Sequence, residues 1–213
     1  ATLAERAMSL AATIEWGLVV KTDSPYKTVA DFIAANKAAP GKLNYGSGGN
    51  GSPQHIAMAL FATRAGITPQ HVPYKGATPA AVAVAAGEVD AAFQGLGTVT
   101  SLIQGGKLRL LAVSTQKRLA QYPNVPTVDE SGLKDFFFNS WFAMVAPAGT
   151  PKEIIERLNT EMRKALADPE TRDKLVAIGL TLRGSSPAEL GSATKDQFNL
   201  YKKLIADNGI KAE

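Results

Sequence analysis

The sequence predicts an α/β fold in which a parallel sheet presents loops at the carboxyl ends of its strands. Three observations favour this class. A strand, a glycine-rich turn and a helix follow one another over residues 42–60, and the same order returns over residues 71–87. Consecutive units of this kind, joined by right-handed crossovers, form a parallel sheet whose loops share one edge. Hydrophobic residues make up 45% of the 213 residues and charged residues 20%, which is typical of a globular protein with a sizeable core.

The beginning of the chain gives a weaker signal than these two units. A short apolar strand is predicted at residues 18–20, after an opening segment whose pattern indicates no clear element. Thr28 and Asp31 have the spacing of a capping box, so we expect a helix from there to Lys37. A Pro-Gly pair at residues 40–41 ends that helix.

The stretch that organises the fold is residues 42–55, which read Lys-Leu-Asn-Tyr-Gly-Ser-Gly-Gly-Asn-Gly-Ser-Pro-Gln-His. Its four glycines free the backbone for positive φ and remove Cβ atoms that would keep a ligand away. Ser52 lies at the N-cap position of a helix and Pro53 at its first position. Because a helix N-terminus presents unpaired N–H groups and the positive end of a dipole, we predict an anion-binding site here. On composition alone, a flexible connector is the alternative.

The second unit favours the anion site over the connector. A strand at residues 71–75 leads into Gly76, and Thr78 is the candidate N-cap of an alanine-rich helix that starts with Pro79 and ends at Gly87. Both helix N-termini then point to the same side of the sheet, at the carboxyl ends of the strands, where open α/β sheets bind ligands. We therefore expect the two loops to form one shared site.

The next elements continue the sheet. A strand is predicted at residues 89–93 and ends at Gln94, and the glycines at 95 and 97 suggest another loop on the same edge. A short helical turn follows at residues 101–104, and an apolar strand at residues 107–114. Residues 115–134 contain prolines and many polar residues without a period, which favours a connecting segment between subdomains.

The C-terminal half predicts one strand and three helices without identifiable chemistry. The apolar run at residues 140–146 lacks polar alternation and predicts a strand buried on both faces. Residues 150–153, Thr-Pro-Lys-Glu, form a capping box with proline at the first helical position, and further helices are predicted to start at 168–169 (Asp-Pro) and 186–189 (Ser-Pro-Ala-Glu). The apolar stripes expected to face the core comprise Ile154, Ile155, Leu158, Met162, Ala165 and Leu166, and then Leu190, Phe198, Tyr201, Leu204 and Ile205.

Composition excludes several classes of partner. The net charge of +4 mildly favours anionic partners, but the densest basic group, Lys107, Arg109, Lys117 and Arg118, has no interleaved aromatic residues, so we predict no nucleic-acid binding. Cysteine is absent, which excludes disulfides and thiolate chemistry. No apolar run approaches the ~18 residues of a membrane span. The first residues show no signal-peptide pattern, which predicts either a cytosolic protein or a mature or trimmed chain.

The catalytic motifs that the glycines suggest fail in detail. Residues 46–51 match the dinucleotide fingerprint, but residues 66–76 contain no acidic residue for a ribose. Ser52 occupies the place of a P-loop lysine, and neither it nor Ser47 has the frame of a nucleophile elbow. His55 either faces the loop or packs, and His71 is expected to be structural; two histidines alone do not suggest a zinc site. We therefore predict binding without catalysis, with no cofactor and no metal.

Seven motifs in a fixed order resemble those of a known family. They are Asp23-Ser-Pro-Tyr-Lys-Thr-Val-Ala-Asp-Phe, Gly41-Lys-Leu-Asn-Tyr-Gly-Ser, Gly51-Ser-Pro-Gln-His, His71-Val-Pro-Tyr-Lys-Gly, Pro123-Asn-Val-Pro-Thr-Val, Trp141-Phe-Ala-Met-Val-Ala-Pro-Ala-Gly-Thr-Pro and Gly209-Ile-Lys. From about Gly17 to its end, the chain is similar to the periplasmic solute-binding receptors of tripartite tricarboxylate transporters, the Bug family.

The resemblance implies the periplasmic binding protein type II (Venus flytrap) architecture, with one complete parallel-sheet α/β domain and the C-terminal part of the other. Such a receptor binds a small anionic carboxylate (a dicarboxylate, a tricarboxylate or an acidic amino acid) in the periplasm and passes it to membrane permease subunits, without itself spanning the membrane. By position, the resemblance implies ligand binding at Ser47, Gly48, Asn50, Gly51, Ser52, His55, Gly76, Ala77, Thr78 and Gln94.

The resemblance also implies a division into domains. Domain two would comprise residues 17–113, with residues 1–16 as the incoming hinge or remnant of domain one and residues 114–213 as a linker and the C-terminal part of domain one. Family members begin with a further portion whose Pro-Gly-Gly loop forms the opposite wall of the cleft, and nothing in residues 1–16 matches that loop. The chain is therefore expected to be a fragment or a shortened variant.

Two alternatives to the receptor remain open from the sequence. One is an enzyme that uses the same glycine-rich loops to process a phosphate ester. The other is a structural or partner-binding piece without a small ligand.

Overall fold

A computed structural model describes residues 5–177, 179–207 and 210, including side chains from residue 7 onward. The strands are β1 (Glu5–Ile14), β2 (Trp16–Lys21), β3 (Asn44–Ser47), β4 (Gln70–Pro73), β5 (Ala91–Gly95), β6 (Leu108–Val113), β7 (Ser140–Pro147) and β8 (Leu180–Leu182). The helices are α1 (Val29–Ala38), α2 (Pro53–Ala65), α3 (Ala77–Ala86), α4 (Leu96–Gln104), α5 (Lys152–Ala167), α6 (Pro169–Ala177) and α7 (Pro187–Asp207).

The chain divides into two compact units. Unit 1 comprises Ala1–Ile14 and Ser140–Lys202, and unit 2 comprises Glu15–Asn139 and Lys203–Glu213. The domain bounds implied by the family resemblance stay a prediction. None of the helices in the described part of the chain has the length and apolar character that crossing a bilayer requires.

Unit 2 is built on a five-stranded sheet in the order β4-β3-β5-β2-β6. Strand β3 runs parallel to β4 and to β5, as the repeated units predicted. Strand β2 runs antiparallel to both of its neighbours, so the sheet is mixed, with the predicted parallel arrangement at β4-β3-β5. The apolar pattern of β2 indicates a buried strand, but it does not indicate the direction in which the strand runs. That direction depends on how β2 pairs with β5, which the tertiary structure decides.

The helix signals at the start of unit 2 are confirmed. The Thr28 hydroxyl accepts a hydrogen bond from the Asp31 N–H at 3.1 Å, and the Asp31 carboxylate accepts one from the Thr28 N–H at 2.9 Å, which completes the capping box of α1. Ser52 caps α2 by accepting from the His55 N–H at 3.4 Å. Gly66 ends α2 with φ +63, the left-handed conformation that glycine adopts at little cost.

Two other helix starts differ from the prediction. Gly76, and not Thr78, is the N-cap residue of α3; its φ of +117 turns the chain early, so that Thr78 already lies in the first helical turn. Helix α4 begins directly after β5, with Gly95 as its N-cap residue, so the predicted loop around Gly95 and Gly97 is absent. The predicted turn at residues 101–104 is the end of that longer helix.

The core of unit 2 joins the sheet to the segment that follows it. The rings of Phe61 and Phe93 lie 5.5 Å apart, and Phe136 packs 6.0 Å from Phe93. Residues 115–139 contain no described helix or strand, yet Val128 and Phe136 are almost fully buried. The Ser114 hydroxyl, between the two ends of the segment 15–139, donates to the Phe138 carbonyl at 2.7 Å and lies 3.3 Å from that of Trp16.

Unit 1 is a three-stranded antiparallel sheet in the order β7-β1-β8, with helices beside it. Strand β1 was not predicted, although it is the central strand. The buried Asn159 of α5 donates from Nδ2 to the carbonyls of Met8 at 2.9 Å and of Ser185 at 2.7 Å, which ties α5 to β1 and to the segment before α7. The capping box of α7 is confirmed, because Ser186 and Glu189 bond each other's N–H groups.

Apolar residues of the C-terminal half are more exposed than predicted. Phe142 and Met144 of β7 are 55% and 48% exposed, so this strand is not buried on both faces. Helix α5 begins at Lys152 without a side-chain cap, in place of the predicted Thr150 box. Of the apolar side chains predicted to face the core, Ile155, Leu190 and Leu204 are buried, whereas Ile154, Leu158, Phe198 and Ile205 are exposed.

Candidate ligand-binding site

The two predicted loops lie side by side at one edge of the sheet of unit 2. We call residues 48–52 the first loop, which leads from β3 into α2, and residues 74–76 the second loop, which leads from β4 into α3. The parallel register pairs Ser47 with Pro73, and the Tyr74 N–H donates to the Ser47 carbonyl at 2.9 Å. A Cβ on Gly48 would lie 3.2 Å from the carbonyl carbon of Gly76 and 3.3 Å from the nitrogen of Ala77. The loops therefore approach each other too closely to leave room for a side chain at Gly48.

The first loop owes its shape to glycine conformations and to one buried hydroxyl. Gly49 has φ +121 and Gly51 has φ +72, both in the region that favours glycine. The Oγ of Ser47, which is fully buried, accepts from the Gly49 N–H at 3.1 Å and lies 3.1 Å from the Gly49 carbonyl. A side chain on Gly51 would meet nothing within 4 Å, so the backbone at this point of the loop is open to an approaching molecule.

The ends of two helices contribute the donors of this edge. In the first turn of α2 the N–H group of Gln54 remains, since Pro53 has no N–H and the His55 N–H donates to Ser52. The first-turn N–H groups of α3 have no partners within their own helix, and each helix presents the positive end of its dipole here. Thr78 lies exposed in the first turn of α3, and Asn50 is exposed in the first loop. The edge therefore offers backbone and hydroxyl donors together with two positive dipole ends, which suits a negatively charged group.

Two histidines lie beneath the first loop. The rings of His55 and His71 stack with their centroids 3.9 Å apart and their planes 24° apart, and Tyr45 stacks on His71 at 5.0 Å. The Nδ1 of His55 accepts from the Gly51 N–H at 3.2 Å, and the Nε2 of His71 lies 2.5 Å from the Oγ of Ser47. His55 therefore bonds the backbone of the first loop, and His71 bonds the side chain of the residue just before it.

Burial keeps this aromatic group uncharged at neutral pH. Burial, and then the proximity of His55, lowers the pKa of His71 from its ordinary 6.5 to about 4. Burial likewise lowers the pKa of His55, and it raises the pKa of Tyr45. All three side chains are therefore neutral near pH 7 and act as hydrogen-bonding and packing groups.

Two glutamines lie behind the loops. Gln94, at the end of β5, is fully buried; its Nε2 donates to the Ala77 carbonyl at 3.3 Å, while its Oε1 is buried without a partner. Gln54 is buried in α2, with its Oε1 3.3 Å from the place where a Cβ on Gly48 would lie. Sequence reasoning named Gln94 but not Gln54, although Gln54 lies inside the Gly-Ser-Pro-Gln-His motif.

The structure brings the ten predicted positions to one edge of unit 2, at different depths. Ser47 and Gln94 are buried, whereas Asn50, Gly51 and Thr78 are exposed. The remaining five are half-buried, namely Gly48, Ser52, His55, Gly76 and Ala77. Whether these residues touch a ligand stays a prediction.

The contact between Ser47 and His71 has the geometry of a nucleophile and its base, and sequence reasoning missed it. Ser47 is nevertheless fully buried, and its Oγ is already bonded to the Gly49 backbone. No group of three or more histidine, cysteine or acidic side chains able to hold a metal ion occurs among the residues with described positions. The arrangement therefore serves to shape the first loop.

Comparison with known proteins agrees with this geometry. A family model described as "Tripartite tricarboxylate transporter family receptor" matches residues 5–210. A UPF0065 protein from a Pseudomonas species is 36% identical over 204 residues, which cover 95% of this chain and 61% of that protein. Another, from Cupriavidus necator, is 38% identical over 195 residues, covering 92% of this chain and 59% of that protein. The chain spans about 60% of the length of these two relatives.

Solved structures show the same architecture. The structure of Rpa4515 from R. palustris with adipate has a TM-score of 0.87 and 32% identity, covering 97% of this chain and 69% of that one. The periplasmic binding protein BugD has a TM-score of 0.86 and 26% identity, covering 98% of this chain and 71% of its own. The predicted periplasmic-binding-protein fold is thereby confirmed, and so is the family resemblance. With the family model matching nearly the whole sequence, the chain belongs to the tripartite tricarboxylate transporter receptor family, the Bug family.

Proposed function

We propose that this chain is part of an extracytoplasmic solute receptor that binds a small dicarboxylate at the two loops of unit 2. The observation that carries the proposal is the contact between the loops, because it brings the N-termini of α2 and α3 to the same edge of one sheet. A single carboxylate could then accept hydrogen bonds from both loops at once. Helix N-termini are worth more to an anion when two converge than when one acts alone.

The depth of each residue suggests its role. The hydroxyls of Ser52 and Thr78 would reach the carboxylate, as would the N–H groups of Gly48, Asn50, Gly76 and Ala77. The N–H of Gly51 is bonded to His55, so Gly51 would contribute open space for the ligand, because it has no side chain. The three remaining predicted residues, Ser47, His55 and Gln94, would support the loops from below, because their polar atoms already bond loop or helix backbone.

The choice of a dicarboxylate rests on a family member of known structure. Rpa4515, which is 32% identical to this chain, was solved with adipate, a linear dicarboxylate. The loops described here offer donors for one carboxylate, and the second would extend away from them. Delivery of the ligand from the periplasm to membrane permease subunits, as the family name implies, completes the proposed function.

The experiment is a titration of isotope-labelled protein with adipate, followed by the ¹H and ¹⁵N shifts of the glycine amides. Adipamide is the matched control ligand, since it keeps the length and loses both charges. We expect adipate to move the signals of Gly48, Gly51 and Gly76, and adipamide to leave them in place. The proposal fails if about 10 mM adipate moves none of them, because even a Kd of about 1 mM, near −4 kcal/mol, would then give nearly full occupancy.

A further inference from the structure

The histidine stack joins three separate elements of unit 2 directly beneath the first loop. His55 comes from the first turn of α2 and His71 from β4, and both contact Tyr45 of β3. Each ring of the pair also makes one hydrogen bond, either to the first loop or to the residue just before it. One runs from the Gly51 N–H to His55, and the other connects His71 to Ser47, whose Oγ holds Gly49.

The direction of the Gly51 bond fixes the protonation state that the loop needs. A nitrogen that accepts a hydrogen bond carries no proton, so Nδ1 of His55 is bare and the proton of the neutral ring is on Nε2. Protonation of His55 would place a second N–H against the Gly51 N–H, and two donors cannot bond each other. The bond that holds Gly51 would therefore be lost.

The stacking adds a second reason why the pair must stay neutral. With the centroids 3.9 Å apart, two imidazolium rings would repel each other, and a charge on either ring would be poorly solvated. The groups that face the rings are the Tyr45 phenol, the Ser47 hydroxyl and the Gly51 amide. Among the described contacts of the two rings there is no carboxylate to offset a positive charge.

We propose that His55 and His71 are a positioning pair that holds the first loop in its binding shape only while both rings are neutral, so that carboxylate affinity falls in weak acid. The proposal rests on the function proposed above and adds its regulation by pH. Charge alone would give the opposite sign, because a protonated histidine beside the site would attract an anion more strongly. The pH dependence thus separates a histidine that shapes the loop from one that touches the ligand.

The first test needs no ligand and no variant. The ring signals of His55 and His71 and the amide signals of Gly49 and Gly51 are followed from pH 7.5 to pH 4 in the free protein. We expect the two glycine amides to shift along the same titration curve as the rings. Glycine amides that stay fixed while the rings titrate would overturn the proposal.

The second test compares the pH profile of adipate affinity in the natural chain, His55→Gln and His71→Gln. Glutamine can accept or donate at these positions and has no charge to gain. The readout is the ratio of affinities at pH 7.5 and pH 4, because the pKa of His71 is about 4 and its ring is still mostly neutral at pH 5. The ligand's own titration cancels between proteins. We expect the adipate affinity of the natural chain to fall about three- to tenfold more than that of the variants. This is the factor that the loss of one hydrogen bond produces.

Each outcome decides something. An affinity that rises in acid in the natural chain, relative to the variants, overturns the positioning role and assigns the histidines to ligand contact. Equal ratios in all three proteins overturn it as well. If adipate binds at no pH while the glycine amides still titrate with the rings, the dicarboxylate function fails and the coupling between the rings and the loop stands.

Discussion

Replacing Gly48 by alanine tests whether contact between the two loops shapes the site. The added Cβ would lie 3.2 Å from the carbonyl carbon of Gly76, 3.3 Å from the nitrogen of Ala77 and 3.3 Å from Oε1 of Gln54. Ordinary carbon contacts are about 3.5–4.0 Å, so the loops must separate by a few tenths of an ångström. Two of these three neighbours are backbone atoms, which cannot rotate away.

The magnitude follows from that geometry. Overpacking of this kind typically costs about 1–3 kcal/mol, and we expect the low end because only one methyl group is added. For a chain of this size, about 1 kcal/mol lowers Tm by about 2–4 °C. Adipate affinity should fall by about tenfold or more, since donors on the two loops would no longer converge on one carboxylate. Thermal unfolding by circular dichroism and calorimetric titration with adipate measure the two effects.

Two glycine variants serve as controls for the change at Gly48. Gly149→Ala adds a methyl group with nothing within 4 Å and without positive φ, so Tm and affinity should stay unchanged. Gly51→Ala meets nothing either but must adopt φ +72, so it measures backbone strain of about 1–2 kcal/mol without a clash. If Gly48→Ala behaves like Gly149→Ala in both assays, the inferred contact between the loops does not control the site.

Two further predictions concern the cap and the histidines. Ser52→Ala should lower the free energy of unfolding by about 1 kcal/mol, because it removes the N-cap of α2, whereas Thr78→Ala should change it little; equal losses in chemical denaturation would contradict the assigned cap of α3. The depressed pKa of His71 should contribute stability that is complete above pH 6.5 and is lost as the pH falls towards 4, where the unfolded chain binds the extra proton first. After discounting for partial exposure, we expect a loss of about 1–2 kcal/mol, absent in His71→Gln; denaturant midpoints that do not change between pH 7 and pH 4.5 would refute it.

Local signals in the sequence predicted the parts of unit 2 that local chemistry decides. The box of Thr28 and Asp31 and the cap at Ser52 act within one helical turn, and the structure confirms both. The predicted N-cap of α3 was wrong because the sequence offers two candidates close together, the hydroxyl of Thr78 and a glycine two residues earlier. Gly76 reaches φ +117, a conformation in which the chain enters the helix before Thr78 can cap it.

Long-range features were less predictable. Strand β1 lacks a clean alternation of apolar and polar residues, yet it is the central strand of its sheet because β7 and β8 pair with it on both sides. The apolar run of β7 correctly indicates a strand, but its burial depends on what covers its faces, and Phe142 and Met144 are exposed.

The candidate site likewise has one feature that the local sequence predicts and others that it does not. The adjacency of the loops follows from two parallel neighbouring strands, so the repeated strand–glycine–helix order was enough to predict it. The stack of His55 on His71 could not be predicted, because the two residues lie 16 positions apart and meet only through the register of β3 and β4. The burial of Gln54 could not be predicted either, because it too depends on the tertiary structure.

Ser114 has a consequence for how residues 15–139, the main part of unit 2, are inserted in the chain. Its hydroxyl lies within bonding distance of the carbonyls of Trp16 and Phe138, and the rings of these two residues meet edge to face at 5.5 Å. The stretch of 125 residues from Glu15 to Asn139 therefore starts and finishes at almost the same point. A segment whose ends are already joined in space can be gained, lost or transplanted as a cassette without stretching the polypeptide on either side of it.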